Sequence, residues 1–269
     1  MTSEHRPVVV AVTADGSVAA VDAAVGEAVR RGCPVQVMHA VDLFGAPDHV
    51  LDRVVEQARA LAGGRVHVTS LLHHGSALDG IIAASEQAQL LVIQRRATVP
   101  DHRRLRARLI SGSLSPVLWV PDLRHAQAAT GTVSVGVHDT LTCGPLIDTA
   151  FEVAAAHHAR LRILHVRTEA DDGLASRELA STLAAPGRRA HDGEVDVVVL
   201  TGRPGALLVE ATSTSDLLVL GRHHPYRPGG SQLGPVARRV LVGASCPVLL
   251  PTPAQSVSSA AWVFASHLD

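Results

Sequence analysis

Ten short runs of branched and aliphatic residues, separated by stretches of helical period and set out twice in the same order, constrain this chain more than any other feature. VQVMHA (Val35 to Ala40) is answered by LRILHV (Leu161 to Val166). HGSALDGIIAASEQAQLLVIQ, ending at Gln94, is answered by TGRPGALLVEATSTSDLLVLG, ending at Gly221. The offset drifts little: 126 residues from His39 to His165, 127 from Gly75 to Gly202 and 131 from Pro116 to Pro247. Solenoid repeats are far shorter than this, so the period marks a duplicated domain.

Within the first half, Val8 to Val12 reads as a buried strand, with Asp15-Gly16-Ser17 as turn and helix cap. Val21, Ala24, Val25 and Ala28 give a helical face ended by Gly32. Val35 to Met38 is a second strand closing on His39-Ala40. Leu51, Val54, Val55, Ala58 and Leu61 give a second helix, stopped by Gly63-Gly64. Val66 to Leu72 is a third strand, and Ser76 caps a helix with Leu78, Ile81 and Ile82 turned inward. Leu90 to Ile93, Arg103 to Ile110 and Pro116 to Val120 complete the half as strand, helix and strand.

The second half runs through Val133 to Val137, a helix marked by Ile147, Ala150, Phe151 and Ala154, then Leu161 to Val166 and Val195 to Leu200. Its last stretch is the most informative. Leu217 to Leu220 is a fully apolar run, short enough for a strand buried on both faces. A loop rich in Gly, Pro, Arg and His follows from Gly221. At Gly234 the period turns helical, with Val236, Val240 and Leu241 inward and Gly243 placed to stop the helix. Cys246-Pro247 then leads into Val248-Leu249-Leu250. Strand, glycine loop, helix and strand is a layout that lets backbone N–H groups at a helix start hold a phosphate.

Alternation of this kind predicts an α/β chain of right-handed crossovers, with open parallel sheets and helices on both faces. Hydrophobic residues make up 46% of the 269 and aromatics only 2%, which suits cores of Val, Leu, Ile and Ala. We place a first domain at residues 1–122, a polar, alanine-rich linker at 123–131, a second domain at 132–251 and a tail at 252–269, with Trp262 and Phe264 able to dock on the body. The net charge is −1, which argues against a general nucleic-acid binder. Lysine is absent and every basic residue is arginine. The three cysteines, Cys33, Cys143 and Cys246, form no disulfide framework, and no run reaches the roughly 18 apolar residues of a membrane span. A soluble cytoplasmic protein, off the membrane, is the expectation.

The stretch from Gly221 to Pro251 resembles the signature end of the universal stress protein family. That family carries Gly, two residues, Gly, nine residues, Gly and then Ser or Thr between its fourth strand and fourth helix. Gly221 matches the first glycine and Gly234 the third, thirteen residues apart. His224 replaces the second glycine and Pro235 the Ser/Thr. SCPVLLP is similar to the family's usual close. The resemblance extends over both halves and implies two tandem doubly wound sheets of five parallel strands, ordered 3-2-1-4-5. It also implies a regulatory binding protein rather than an enzyme, and an adenine nucleotide such as ATP as ligand. Such a ligand would lie in the crevice at the carboxyl ends of strands 1 and 4. In the second half that crevice is bounded by Val137 and His138 after strand 1, where the family has an Asp, and by Val166, where it seats adenine. The glycine-loop side supplies Gly221, His223, His224, Gly234, Pro235 and Val236.

Departures from the pattern weaken the expected grip on phosphate. Proline suits the first turn of a helix, yet Pro235 removes one N–H and one hydroxyl where a phosphate would sit. Hydrogen bonds to charged groups contribute roughly 1.5–3 kcal/mol each, so losing two costs on the order of a hundredfold or more in affinity. In the first half Gln94 stands at the first glycine, the reach to Arg103 is nine residues instead of thirteen, and Arg103 and Arg104 stand at Gly and Ser. Nucleotide is therefore expected in the second half and not the first.

Other chemistry has less support. The pairs His73-His74, His157-His158 and His223-His224 are sequence neighbours whose side chains diverge, and no His-Glu-x-x-His occurs, so no metal is expected. His39 and His165 recur at strand ends, as packed or crevice-facing histidines satisfied by backbone. Arg95, Arg96, Arg103, Arg104, Arg106 and Arg108 form a basic run beside Asp101, read as a solvated face or as an anion or partner surface. Asp171-Asp172 reads as a helix cap. Gly229 to Leu233 is no nucleophile elbow, and a lysine-free chain has no Walker lysine. Two alternatives stay open: an interaction protein that binds no small molecule, and a slow nucleotide hydrolase.

Pro116 to Val120 and Val248 to Leu250 would be exposed apolar edges in isolated sheets. The two halves are therefore expected to pair as a pseudo-twofold unit through these last strands, with a homodimer as a further form. Halves expressed separately should aggregate or self-pair in analytical ultracentrifugation. Two well-behaved monomeric halves with no affinity for each other would count against the pairing.

Overall fold

Val8, Val9 and Val10 have no exposed surface, and neither do Leu90, Leu91 and Val92. Successive strand residues point to opposite faces, so runs buried without alternation require cover on both sides of the sheet. In our computed structural model, residues 6–14, 16–41, 49–95, 102–122, 129–137, 143–167, 174–183, 194–222 and 233–252 are described, with the backbone alone at 102–106, 174–176 and 178. The chain divides into two compact units, Met1–Arg124 and His125–Asp269.

The first unit runs β1 (Val8–Val12), α1 (Val18–Arg31), β2 (Val35–Val41), α2 (Val50–Ala62), β3 (Val68–His74), α3 (Ala77–Ser85), β4 (Leu90–Gln94), α4 (His102–Gly112) and β5 (Val117–Val120). Its strand order is β3-β2-β1-β4-β5 and every pairing is parallel. Right-handed crossovers explain the layers. The chain moves one way along the sheet through β2 and β3, placing α1 and α2 on one face. It then returns past β1 to β4 and β5, placing α3 and α4 on the other. In α1, Ala20, Val21, Ala24, Val25 and Ala28 are buried, and Gly32 ends the helix at φ 61.

Local chemistry moves three expected details. Ser17 occupies the N-cap of α1 at φ 48, but its hydroxyl does not cap the helix; it accepts from the Thr13 N–H at 3.3 Å. Leu61 is 37% exposed, because the buried stripe of α2 runs Val50, Val54, Ala58 and Ala62 at steps of four and leaves Leu61 off it. β3 begins at Val68, two residues late. The chain before it is used to finish α2, with the Arg65 guanidinium donating to the Leu61 and Ala62 carbonyls at 3.0 Å. Ser76 does cap α3, accepting from the Asp79 N–H at 3.4 Å.

The second unit repeats the plan: β6 (Thr132–Val137), α5 (Gly144–Ala156), β7 (Arg160–Arg167), α6 (Leu174–Leu183), β8 (Val195–Thr201), α7 (Pro204–Ala211), β9 (Leu217–Leu220), α8 (Pro235–Gly243) and β10 (Val248–Leu250). A single 3₁₀ turn, Thr212–Thr214, follows α7. The order β8-β7-β6-β9-β10 is again 3-2-1-4-5, all parallel. Asp216 holds the base of β6, accepting from the Thr130 N–H at 2.6 Å, the Thr130 hydroxyl at 3.0 Å and the Thr132 N–H at 3.2 Å. Gly243 is the last residue of α8 rather than its stop. It is small because a Cβ there would come within 3.0 Å of Val209 on α7. Asp171 and Asp172 lie outside the described residues, as do Trp262 and Phe264. Among the described residues no helix is long and apolar enough to cross a membrane.

All three cysteines are buried and unpaired with one another. Burial pushes the Cys246 thiol up to about 12, with the Asp216 carboxylate adding to the shift, and burial raises the Cys33 thiol as well. A thiolate is the reactive form, so both should label slowly in the native state at pH 8 and rapidly once urea unfolds the chain. Peptide mapping after alkylation checks this. Native labelling of Cys33 and Cys246 at the rate of an unfolded control would show that this packing is wrong.

Candidate functional site

Neighbours reverse direction at β6, which pairs with β7 on one side and β9 on the other. The loops after β6 and β9 leave the sheet at the same end, so a crevice opens at the carboxyl ends of these strands. Val137 ends β6 and is buried; it lies in register with His165 on β7, next to buried Val166. Across the crevice stand Leu220 and Gly221. Gly221 has no left-handed φ that would demand glycine, and a Cβ there would meet nothing nearer than Leu146 Cδ2 at 4.0 Å. Its effect is space: the strand ends without a side chain at the mouth. Gly136, by contrast, is a packing glycine, since a Cβ would stand 3.1 Å from Leu208 and Leu220.

The base of the loop after β9 is built from backbone. The Gly234 N–H donates to the Arg222 carbonyl at 3.1 Å, closing the segment between them. Leu233, 3% exposed, anchors its far end in the core. Gly234 is the N-cap of α8, with no side-chain cap, and Pro235 is its first residue. Val236 follows in the first turn, half-buried. Arg222 is 1% exposed and donates through Nε and Nη2 to the Leu250 carbonyl at 3.3 Å, which ties the loop base to the end of β10. Burial pulls its pKa down to about 10, so it still carries its charge at neutral pH.

His138, His223 and His224 lie outside the described residues. The other expected site residues converge on one end of the unit: Val137, Val166 and Gly221 at the strand ends, Gly234, Pro235 and Val236 at the helix start. His165 is buried, and its Nδ1 donates to the Val137 carbonyl at 3.3 Å, since a carbonyl only accepts. His39 makes the same bond to the Val12 carbonyl of the first unit at 3.0 Å. The recurring histidine thus fixes the point where the chain leaves the first strand of each sheet. Among the described residues no group of three or more His, Cys, Asp or Glu could hold a metal ion.

The matching crevice of the first unit, between β1 and β4, is occupied by the chain's own side chain. Gln94 stands where Gly221 stands in the second unit. Its Oε1 accepts from the Ala20 N–H at 3.3 Å, in the first turn of α1, and its Nε2 donates to Asp122 at 3.4 Å. The next residue, Arg95, is half-buried; its N–H donates to the Val120 carbonyl at 2.6 Å. Burial lowers the Arg95 pKa, against the opposing charge of Asp122. Arg95 therefore departs from the solvated basic run expected of it. Arg108 is exposed, while Asp15, Asp101 and Arg96 lie outside the described residues, as do the side chains of Arg103, Arg104 and Arg106.

Residues 130–250 match the model of the universal stress protein family. The second unit belongs to that family. A universal stress protein of Mycobacterium tuberculosis is 25% identical over 226 residues, covering 74% of this chain and 71% of the relative. One from Mycobacterium bovis gives the same figures. Among solved structures, a universal stress protein from Archaeoglobus fulgidus superposes with a TM-score of 0.67 at 17% identity, covering 92% of this chain and 97% of its own. The cytoplasmic domain of a prokaryotic cation chloride cotransporter shares the fold with a TM-score of 0.56 at 11% identity, over 91% and 95% of the two chains. Fold alone therefore does not assign an activity to a universal stress protein; the residues of the site must do so.

Sequence reasoning missed the two residues that shape these crevices from within. Arg222 is one of two arginines between Gly221 and Gly234, and Arg95 recurs at the same offset just past the matching strand. Gln94 marks a missing glycine by spacing alone, while its side chain hydrogen-bonds to Ala20 and Asp122. Arg222→Ala should lower stability by about 1–3 kcal/mol, because the buried Leu250 carbonyl loses its donor. Urea denaturation followed by circular dichroism measures it, and an unchanged midpoint would mean that Arg222 does not hold β10.

Proposed function

We propose that this universal stress protein is a cytoplasmic regulatory binding module that holds one adenine nucleotide, in the crevice of its second unit. The observation that carries the reading is the contrast at the end of the fourth strand of each sheet. Gly221 leaves that position open, whereas Gln94 spans its counterpart with hydrogen bonds to Ala20 and Asp122. Val137 and Val166 supply apolar walls for a base, and Gly221 leaves room for a ribose. His138, His223 and His224 would border the same ligand from the loops. Gly234, Pro235 and Val236, at the positive end of the α8 dipole, face the phosphates. Three buried, reduced cysteines fit a reducing compartment.

No chemistry on the nucleotide is needed for this role. A bound ligand would shift the surface offered to a partner, which is how a binding module reports a signal. Calorimetric titration of ATP, ADP and AMP into the whole chain should give one site. Gly221→Leu, whose Cβ would stand 4.0 Å from Leu146 Cδ2, should leave the melting temperature within a degree or two and abolish binding. Two sites per chain would refute the asymmetry. No heat from any nucleotide would remove the binding function and leave an interaction protein without a small ligand.

A further inference from the structure

The start of α8 is the chain's own donor set beside the open crevice, and two of its members are already spent. A helix begins with four backbone N–H groups that have no partner inside it, those of the N-cap and the three residues after it. In α8 these belong to Gly234, Pro235, Val236 and Ala237. The Gly234 N–H is given to the Arg222 carbonyl at 3.1 Å, and Pro235 has none. The N-cap glycine offers no hydroxyl. Arg238 and Arg239 are exposed, and the stem of Arg239 is packed over Gly205, where a Cβ would stand 3.0 Å from its Cγ. Charges placed that way attract an anion only through screening solvent.

The crevice itself keeps the apolar end of a nucleoside site. Val137, Val166 and Gly221 are in place, and their cover does not depend on how many phosphates follow the sugar. We propose that the second unit selects by the nucleoside and discriminates against the polyphosphate, taking adenosine or its monophosphate at least as tightly as the triphosphate. The inference rests on the reading of this crevice as an adenine nucleotide site. The closing of the loop after β9 is what enforces the selection. One N–H cannot both close the loop base and hold a phosphate oxygen, and the buried guanidinium of Arg222 keeps the loop base where it is.

Calorimetric titration of adenosine, AMP and ATP into the full chain, and into Pro235→Ser, tests this. In the natural protein AMP and adenosine should bind at least as tightly as ATP. In the variant, which restores an N–H and adds a hydroxyl, the preference for ATP over AMP should rise tenfold or more. ATP binding more tightly than AMP to the natural protein overturns the proposal. A folded variant, by circular dichroism, with an unchanged ratio overturns the assignment to α8. If none of the three ligands binds, the adenine nucleotide reading fails and this selection fails with it, an outcome distinct from an ATP preference.

Discussion

Burial of the central strands on both faces is the constraint on which the rest of this structure depends. In β1, β4, β6 and β9 almost every side chain is out of water, whichever face it points to. Nothing polar is tolerated along such a strand unless its partner is built in. Ser134, in the middle of β6, pairs with Ser215 at 2.7 Å, and His39 and His165 give their Nδ1 protons to the carbonyl ending the neighbouring strand. Chemistry is thereby excluded from the faces of each sheet and confined to the strand ends. There the reversal of strand order leaves a gap that no crossover helix covers among the described residues.

Two copies of that gap exist, and their fates differ by the residue ending the fourth strand. Glycine leaves the second open. Glutamine fills the first, and its hydrogen bonds at 3.3 and 3.4 Å are long ones. The Ala20 N–H that Gln94 receives is shared with the Ser17 carbonyl at 3.0 Å. Bonds of this quality contribute at most about 1 kcal/mol each, so the volume of the side chain matters more than its polarity. A ligand entering the first crevice would have to displace packed atoms as well as desolvate an amide. The duplication thus repeats one frame with two different residues at the end of the fourth strand.

Most of the frame was legible in the chain because it is written in repeated apolar runs, whose buried positions follow from period alone. β9, α8 and β10 fall where Leu217, Pro235 and Val248 put them. Details decided by a neighbour in space were not legible. Leu61 is apolar and sits at helical spacing, yet it loses its place to Ala62 because only one stripe of α2 faces the sheet. Gly243 carries the mark of a helix stop and is instead a contact with Val209. Among the site residues, Gly221, Gly234 and Pro235 could be found from spacing. Arg222 could not, since an arginine in a polar loop is ordinarily exposed, and only its recurrence after β4 and β9 hinted otherwise.

Burying Arg222 is costly by itself, because a guanidinium surrenders its water on entering the core. The position makes sense as a fixed point. A loop of about a dozen residues is joined to the sheet by β9 and to the helical layer by α8, and its closure entropy grows only slowly with length. Among the described residues, the crevice is bounded on this side by the base of that connection. Arg222 fixes that base twice over, its side chain to β10 and its carbonyl to the first residue of the α8 cap. A more mobile base would leave the Gly234 N–H able to turn toward an anion, at the cost of a less defined mouth. In this chain the balance falls toward a defined mouth, and the same bond that shapes the crevice removes a phosphate donor from it.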